Sequence, residues 1–156
     1  MLHIKRFKKA YGTTEIISIA ELKLQPGIYW LKGTNGSGKT TLMRSIAGMV
    51  PFEGVIEVSG VSIREDRMKY TSSINYAEAE AMYPGFLTGN DLIAFYKETK
   101  PTPEENINYL TNTFGTNLFS ANRVATYSSG MTKKLSLVLA FMGHRNSSCL
   151  MSHSLR

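Results

Sequence analysis

Cysteine, tryptophan and glutamine are nearly absent from the 156-residue sequence, which contains one cysteine, one tryptophan and a single glutamine, Gln25. One cysteine cannot form a disulfide within the chain, so we expect a protein of a reducing compartment. No run of the sequence approaches the ~20 apolar residues of a membrane-spanning helix, and the N-terminus lacks the apolar stretch of a secretory signal. We therefore expect a cytoplasmic protein whose own chain does not cross a bilayer.

Acidic residues are also few, since 12 Asp and Glu stand against 18 Lys and Arg, a formal net charge of +6. A basic chain raises the hypothesis of a nucleic-acid ligand. However, the basic residues are scattered outside one cluster from Lys5 to Lys9, and they do not alternate with aromatics as in nucleic-acid-binding proteins. We expect no direct nucleic-acid ligand. The cluster is interpreted as the solvated face of an edge strand whose Ile4 and Phe7 point inward.

The composition, 42% hydrophobic and 19% charged, suits one globular domain over residues 1–156. Residues 2–7 and 16–19, with a turn at 11–14, predict a β-hairpin. Residues 28–31 are continuously apolar, which is typical of a strand buried on both faces. A helix over residues 39–49 and a strand over residues 55–58 complete the first third of the chain.

The rest of the chain predicts one short strand and three helices. We expect them over residues 74–76, 89–97, 103–115 and 128–142. Thr102 is predicted to cap the N-terminus of the second of these helices, with Pro103 as its first residue and Gly115 at its end.

Residues 33–40 read Gly-Thr-Asn-Gly-Ser-Gly-Lys-Thr and fit the phosphate-loop (Walker A) pattern G-x-x-x-x-G-K-[ST] between a predicted strand and a helix. Glycines let backbone N–H groups approach phosphate oxygens at the positive end of a helix. Lys39 is expected to reach the β- and γ-phosphates, Thr40 to bind Mg²⁺ and Thr41 to add a hydrogen bond. A flexible glycine loop is the alternative. The residues expected to hold the phosphates are Gly33, Asn35, Gly36, Ser37, Gly38, Lys39, Thr40 and Thr41.

The order of features around this loop resembles the ATP-binding cassette (ABC) family, the ATPase subunits of ABC transporters. Tyr11 resembles the aromatic that stacks on adenine in that family, with an ordinary turn tyrosine as the alternative. Residues 47–56 and 83–89 resemble the exit of the phosphate-loop helix and the stretch after the Q-loop. The resemblance implies an α/β P-loop NTPase fold with a mixed or parallel central sheet. It also implies an antiparallel N-terminal β subdomain and a helical insert over residues 83–124.

Residues 127–135, Tyr-Ser-Ser-Gly-Met-Thr-Lys-Lys-Leu, resemble the family's signature L-S-G-G-Q and the helix behind it. The resemblance implies that Ser128, Ser129, Gly130 and Met131 address the γ-phosphate of ATP bound to the opposite subunit of a head-to-tail dimer. A hydroxyl and unpaired N–H groups at a helix N-terminus suit that task. By itself, S-x-G before a helix is an ordinary cap.

Two departures from the family stand out. The Q-loop glutamine is absent, and Glu78, or alternatively Glu80, is its nearest counterpart and a possible catalytic or Mg²⁺-binding carboxylate. The family also requires an apolar strand ending in Asp-Glu after the signature helix, yet no Asp or Glu follows Glu105. His144 and His153 do not have metal-ligand spacing. We therefore expect little or no ATP turnover.

Residues 143–156 are polar and aperiodic, and they replace the expected Asp-Glu strand. If one base were lost near His144, the codons of residues 146–153 would read, in the neighbouring frame, as four apolar residues followed by Asp, Glu and Pro for suitable codons. We interpret the segment as an out-of-frame tail of an ATPase subunit truncated after the signature. A genuinely divergent tail is the alternative.

The resemblance implies an ATP-binding subunit of an ABC transporter that uses ATP and Mg²⁺. It also implies a homodimer or heterodimer of such subunits, peripheral to the cytoplasmic membrane through a transmembrane partner. Whether this chain is itself an ATPase is left open by the missing carboxylates. The alternative function is a non-transport ABC-type nucleotide-binding regulator that acts on the ribosome or on nucleic acid.

Overall fold

The computed structural model describes residues 1–78 and 81–143 and, for the backbone alone, residues 148–151. The chain packs as two compact units, Met1–Tyr76 and Ala77–Arg156. In the described part of the chain, every helix is too short or too polar to cross a membrane.

A four-stranded sheet dominates the first unit. Its strands are β1 (Leu2–Tyr11), β2 (Thr14–Leu24), β3 (Glu53–Val58) and β4 (Val61–Ser62), which lie in the order β2-β1-β3-β4. All three pairings are antiparallel. The predicted hairpin is confirmed, and both of its strands are longer than predicted. The predicted edge position of β1 is wrong, because β3 pairs with the edge of β1 that β2 leaves free.

A bulge in β1 sets which side chains reach the core. Ile4 and Phe7 are both buried, as predicted, although a regular strand turns residues three apart to opposite faces. Arg6 has φ +47°, and the β1–β3 register shifts around it. The extra residue resets the alternation, so that both apolar side chains point inward.

Gly54, in β3, lies against this bulge. Its φ is +91°, and a Cβ at this position would come within 2.2 Å of the Arg6 carbonyl oxygen. The close approach of two backbones therefore requires glycine here.

Two helices complete the first unit, α1 (Lys39–Ile46) and α2 (Arg67–Ser72). The predicted extension of α1 to residue 49 is wrong, because Ala47 caps the helix and Gly48 turns to φ +73°. Tyr70, in α2, is fully buried and donates a hydrogen bond from its hydroxyl to the Ile46 carbonyl oxygen at 2.6 Å. Burial raises the pKa of Tyr70, so the phenol stays protonated and keeps this bond.

Residues 28–31 do not form the predicted buried strand. The segment has no regular secondary structure, Ile28 is fully exposed and Trp30 is 81% exposed. An apolar run becomes a buried strand only where neighbouring strands take up its N–H and C=O groups. Among the described residues, no strand pairs with it.

Strand β5 (Ile74–Ala77) ends at the boundary between the units, and the second unit is mainly helical. Its helices are α3 (Gly89–Thr99), α4 (Glu104–Phe114) and α5 (Ser129–Phe141), followed by strand β6 (Ser148–Met151). One hydrophobic cluster joins the three helices. Its buried members are Leu92, Ile93, Ile107, Val124, Leu135, Val138, Leu139 and Met142.

The start of α4 differs from the prediction by one residue. Pro103, with ψ 141°, is the N-cap, and the helix begins at Glu104. The Thr102 hydroxyl instead donates to the Lys100 carbonyl oxygen at 2.7 Å and accepts the Gly143 N–H at 2.8 Å. The predicted Thr102 cap is therefore wrong, since that hydroxyl is used elsewhere. The predicted C-terminal glycine is confirmed, with Gly115 at φ +64°.

Candidate functional site

The predicted phosphate loop is an exposed turn that leads directly into α1. Gly36 and Gly38 adopt left-handed conformations, with φ +82° and +85°, and Gly38 is the N-cap of the helix. No side chain caps α1, and its first turn carries no acidic residue. The N–H groups and the positive end of the helix dipole are therefore available to an anion.

Lys39 is the first residue of α1, and its side chain turns back over the loop. Its Nζ donates hydrogen bonds to the carbonyl oxygens of Gly33, at 2.8 Å, and Thr34, at 2.7 Å. The side chains that follow or precede it in the motif remain accessible: Asn35, Ser37 and Thr40 are exposed and Thr41 is half-buried. The ammonium group thus lies at the mouth of the loop, where it can face a phosphate oxygen.

The β1–β2 hairpin packs against this loop. A Cβ placed on Gly38 would lie 3.1 Å from Ile16 Cγ2 and 3.4 Å from Ile17 Cβ, both in β2. Thr14, two residues before Ile16, is the cross-strand partner of Tyr11. The first unit therefore brings the hairpin end that carries Tyr11 to the side of the phosphate loop. Tyr11 itself is 53% exposed, which leaves its ring accessible.

The signature residues lie at the N-terminus of α5, in the second unit. Ser128 is the N-cap, and its Oγ accepts a hydrogen bond from the Met131 N–H at 3.2 Å. Ser128, Ser129 and Gly130 are exposed and Met131 is half-buried. The first turn of α5 has no acidic residue. The positive end of the helix dipole is therefore not neutralised by an acidic side chain in the first turn, which favours an anionic group there.

Replacing Ser128 by alanine is expected to destabilise the second unit by about 1 kcal/mol, because α5 loses its N-terminal cap. Urea unfolding followed by circular dichroism measures the change. Ser129→Ala is the matched control, since Ser129 is the first helical residue and does not cap the helix. Equal losses in the two variants would contradict a capping role for Ser128.

Candidate metal ligands are few in the described part of the chain. No group of three or more His, Cys, Asp or Glu side chains there is arranged to hold a metal ion. Glu78 follows β5 and is half-buried, whereas its predicted alternative, Glu80, lies outside the described residues, as do His144 and His153. Thr40 and Glu78 each remain a prediction as a Mg²⁺ ligand.

Sequence reasoning missed one residue beside the candidate site. Lys9, predicted to be solvated, is only 8% exposed, and its Nζ lies 4.4 Å from the centroid of the Tyr11 ring. Lys9 lies two residues after the buried Phe7, so both side chains point to the same face of β1. The spacing of two residues between a lysine and an aromatic along one strand was the available signal.

Residues 17–150 match the family model described as ABC transporter. The chain therefore belongs to the ABC transporter family.

Curated relatives agree with this assignment. The chain is 30% identical over 152 residues to the linearmycin resistance ATP-binding protein LnrL of Bacillus subtilis, and 31% identical over 149 residues to the uncharacterized ABC transporter ATP-binding protein YdbJ of the same organism. These alignments cover 91% and 93% of this chain and 48% of each relative. The chain thus spans about half the length of the curated relatives it matches.

Solved structures support the fold. An ATP-binding subunit of an ABC transporter superposes with a TM-score of 0.74 at 19% identity, over 90% of this chain and 61% of the other. A cobalt transport ATP-binding protein gives a TM-score of 0.70 at 23% identity, over 90% and 54%. The predicted α/β P-loop NTPase fold, with its antiparallel N-terminal sheet, is confirmed.

Proposed function

We propose that this chain binds ATP and Mg²⁺ at residues 33–41 and passes the effect of binding to a transmembrane partner. The observation that carries the proposal is the uncapped start of α1, with left-handed Gly36 and Gly38 before it and the Lys39 ammonium over the loop. The N–H groups at the start of α1, the positive end of its dipole and the Lys39 ammonium all lie at one exposed site, where they would bind phosphate oxygens.

Three side chains would have separate tasks in nucleotide binding. Lys39 would exchange its bonds to the Gly33 and Thr34 carbonyl oxygens for bonds to phosphate oxygens. Bound Mg²⁺ would supply charge neutralisation between the phosphates, and the exposed hydroxyl of Thr40, the second residue of α1, would hold it. Tyr11, half-exposed on the adjacent hairpin, would stack on the adenine base.

The signature residues support a proposal about assembly. Ser128, Ser129, Gly130 and Met131 form an exposed helix start in the second unit. We propose that this start faces ATP held by the phosphate loop of a second subunit, in a homodimer or a heterodimer. Members of the family pair with transmembrane subunits, so we place the assembly at the cytoplasmic face of a membrane.

Purified chain 1–156 is expected to bind ATP without turning it over. No Asp or Glu follows Glu105, so the carboxylate that would polarise the attacking water is missing from this sequence, and a general base contributes about 10²- to 10⁴-fold to such a step. Phosphate release is measured beside that of Lys39→Ala. Equal background rates in both proteins support the proposal, and steady release that disappears in Lys39→Ala contradicts it.

The tail over residues 143–156 carries a second, separate proposal. We propose that it is read out of frame and that the neighbouring frame encodes the apolar strand and Asp-Glu-Pro. Apart from Gly143, its side chains lie outside the described residues, and the support is that codons compatible with residues 146–153 can encode such a run in the neighbouring frame. Sequencing the gene tests it: an uninterrupted frame with no Asp-Glu-Pro in the neighbouring frame would reject the proposal.

A soluble regulator that acts on the ribosome or on nucleic acid is not favoured, because the relatives found are transporter ATP-binding proteins. Co-sedimentation with ribosomes that disappears as salt rises would favour it instead. A neighbouring gene that encodes several apolar spans would favour the transporter.

A further inference from the structure

Lys9 occupies an unusual place for a lysine. Its side chain leaves the central strand β1, and the residue is only 8% exposed. Lysines are rarely this buried without a partner, because removing an ammonium group from water is costly. Its placement therefore requires a compensating contact.

The compensating contact is the ring of Tyr11. Lys9 Nζ lies 4.4 Å from the ring centroid, within the range of a cation–π interaction. The neighbouring lysines of the sheet pair with carboxylates instead: Lys8 with Glu15 at 2.8 Å and Lys5 with Glu57 at 3.5 Å. In the described part of the chain, the Lys9 ammonium has the Tyr11 ring as its partner.

The same side chain stands close to the phosphate loop. The cross-strand partner of Lys9 in β2 is Ile17, and Ile17 Cβ packs against Gly38. Directly paired residues of an antiparallel sheet project to the same face. Lys9, Ile17 and the loop residue Gly38 are thus neighbours within the first unit, with Tyr11 at the end of the same strand.

We propose that Lys9 is a positioning residue for Tyr11. The ammonium covers one face of the phenol ring and fixes its orientation, and the ring presents its other, exposed face to a purine base of a nucleotide held by residues 33–41. This inference rests on the proposed nucleotide-binding function and adds to it a residue that governs recognition of the base but not of the phosphates.

The test separates base recognition from phosphate recognition by comparing ATP with inorganic tripolyphosphate, which has no base. Affinities are measured by calorimetry for the unmodified chain and for Lys9→Met, Lys9→Arg and Tyr11→Leu. We expect Lys9→Met to weaken ATP binding by about 3- to 30-fold, the range that a partly desolvated cation–π contact supplies, and to leave tripolyphosphate binding unchanged. Lys9→Arg, which keeps a cation over the ring, should restore most of the affinity. Lys8→Met is the matched control on the same strand.

A double variant decides whether Lys9 acts through the ring. If it does, Lys9→Met combined with Tyr11→Leu binds ATP no more weakly than Tyr11→Leu alone. Additive losses, or an equal loss of tripolyphosphate binding in Lys9→Met, would show that Lys9 contacts the phosphates and would overturn the inference.

A measurement without nucleotide distinguishes this inference from the proposed function. The ring current of Tyr11 should move the Lys9 ε-methylene NMR signal upfield of the other lysines, and Tyr11→Leu should abolish the shift. Intact ATP binding without that upfield shift overturns the role of Lys9 alone. Failure of the unmodified chain to bind ATP or tripolyphosphate overturns the proposed function, and the role of Lys9 with it.

Discussion

Replacing Lys39 by alanine is expected to weaken ATP binding by about 10- to 100-fold, the largest functional effect of any single side chain in the phosphate loop. A charge-assisted hydrogen bond contributes about 1.5–3 kcal/mol. The Lys39 ammonium lies over the opening of the loop, where it can form such a bond with a phosphate oxygen. In the unmodified chain, Lys39 gives up its bonds to the Gly33 and Thr34 carbonyl oxygens when it binds phosphate, so these bonds oppose binding and reduce the loss in the variant. Calorimetric titration with ATP measures the net loss.

Lys32→Ala is the matched control for the Lys39 prediction. Lys32 has the same charge and lies just before the loop, but it is exposed. If ATP affinity depends on net charge alone, the two variants will weaken binding equally, and that result would contradict the role given to Lys39. A loss confined to Lys39→Ala, with unchanged circular dichroism, supports it.

Replacing Gly54 by alanine is expected to have the largest effect on stability, a loss of about 3 kcal/mol or more in the free energy of unfolding. A left-handed conformation costs an L-residue about 1–2 kcal/mol. Here the new Cβ would also meet the Arg6 carbonyl oxygen at 2.2 Å, and the backbone at the β1 bulge must shift to relieve the overlap. Urea unfolding of the chain measures the loss.

Gly60→Ala isolates the conformational part of that cost. Gly60 also has a positive φ, +79°, but a Cβ there would have no neighbour within 4 Å. We expect a loss of about 1 kcal/mol for Gly60→Ala. Equal losses at the two positions would show that contact with Arg6 contributes nothing.

The parts of the fold that the sequence predicts correctly have local signals. The hairpin follows from the turn around Gly12, and α5 follows from a capping serine before an apolar periodic run. The phosphate loop is the strongest case, because its glycines, lysine and following helix all lie within ten residues of each other. Interactions between residues close in sequence determine these elements, so the amino-acid sequence alone is enough to predict them.

Two of the errors concern contacts between residues that are distant in sequence. Whether β1 is an edge or a central strand depends on β3, about fifty residues later. Residues 28–31 have the composition of a buried strand but no strand pairs with them in the described part of the chain. The burial of Lys9 had a local signal, because Lys9 lies two residues after the buried Phe7 and two before Tyr11 on β1. The interpretation of residues 5–9 as the solvated face of an edge strand overlooked that signal.

The exposed segment before the phosphate loop gives the protein a built-in optical probe. Trp30 is the sole tryptophan of the sequence, stands three residues before Gly33 and is 81% exposed. Indole emission moves to shorter wavelength when the ring leaves water, so intrinsic fluorescence reports on residues 28–31 without any label. The same signal distinguishes an exposed segment from one that a neighbouring strand has covered, and it does so next to the loop where the nucleotide is proposed to bind.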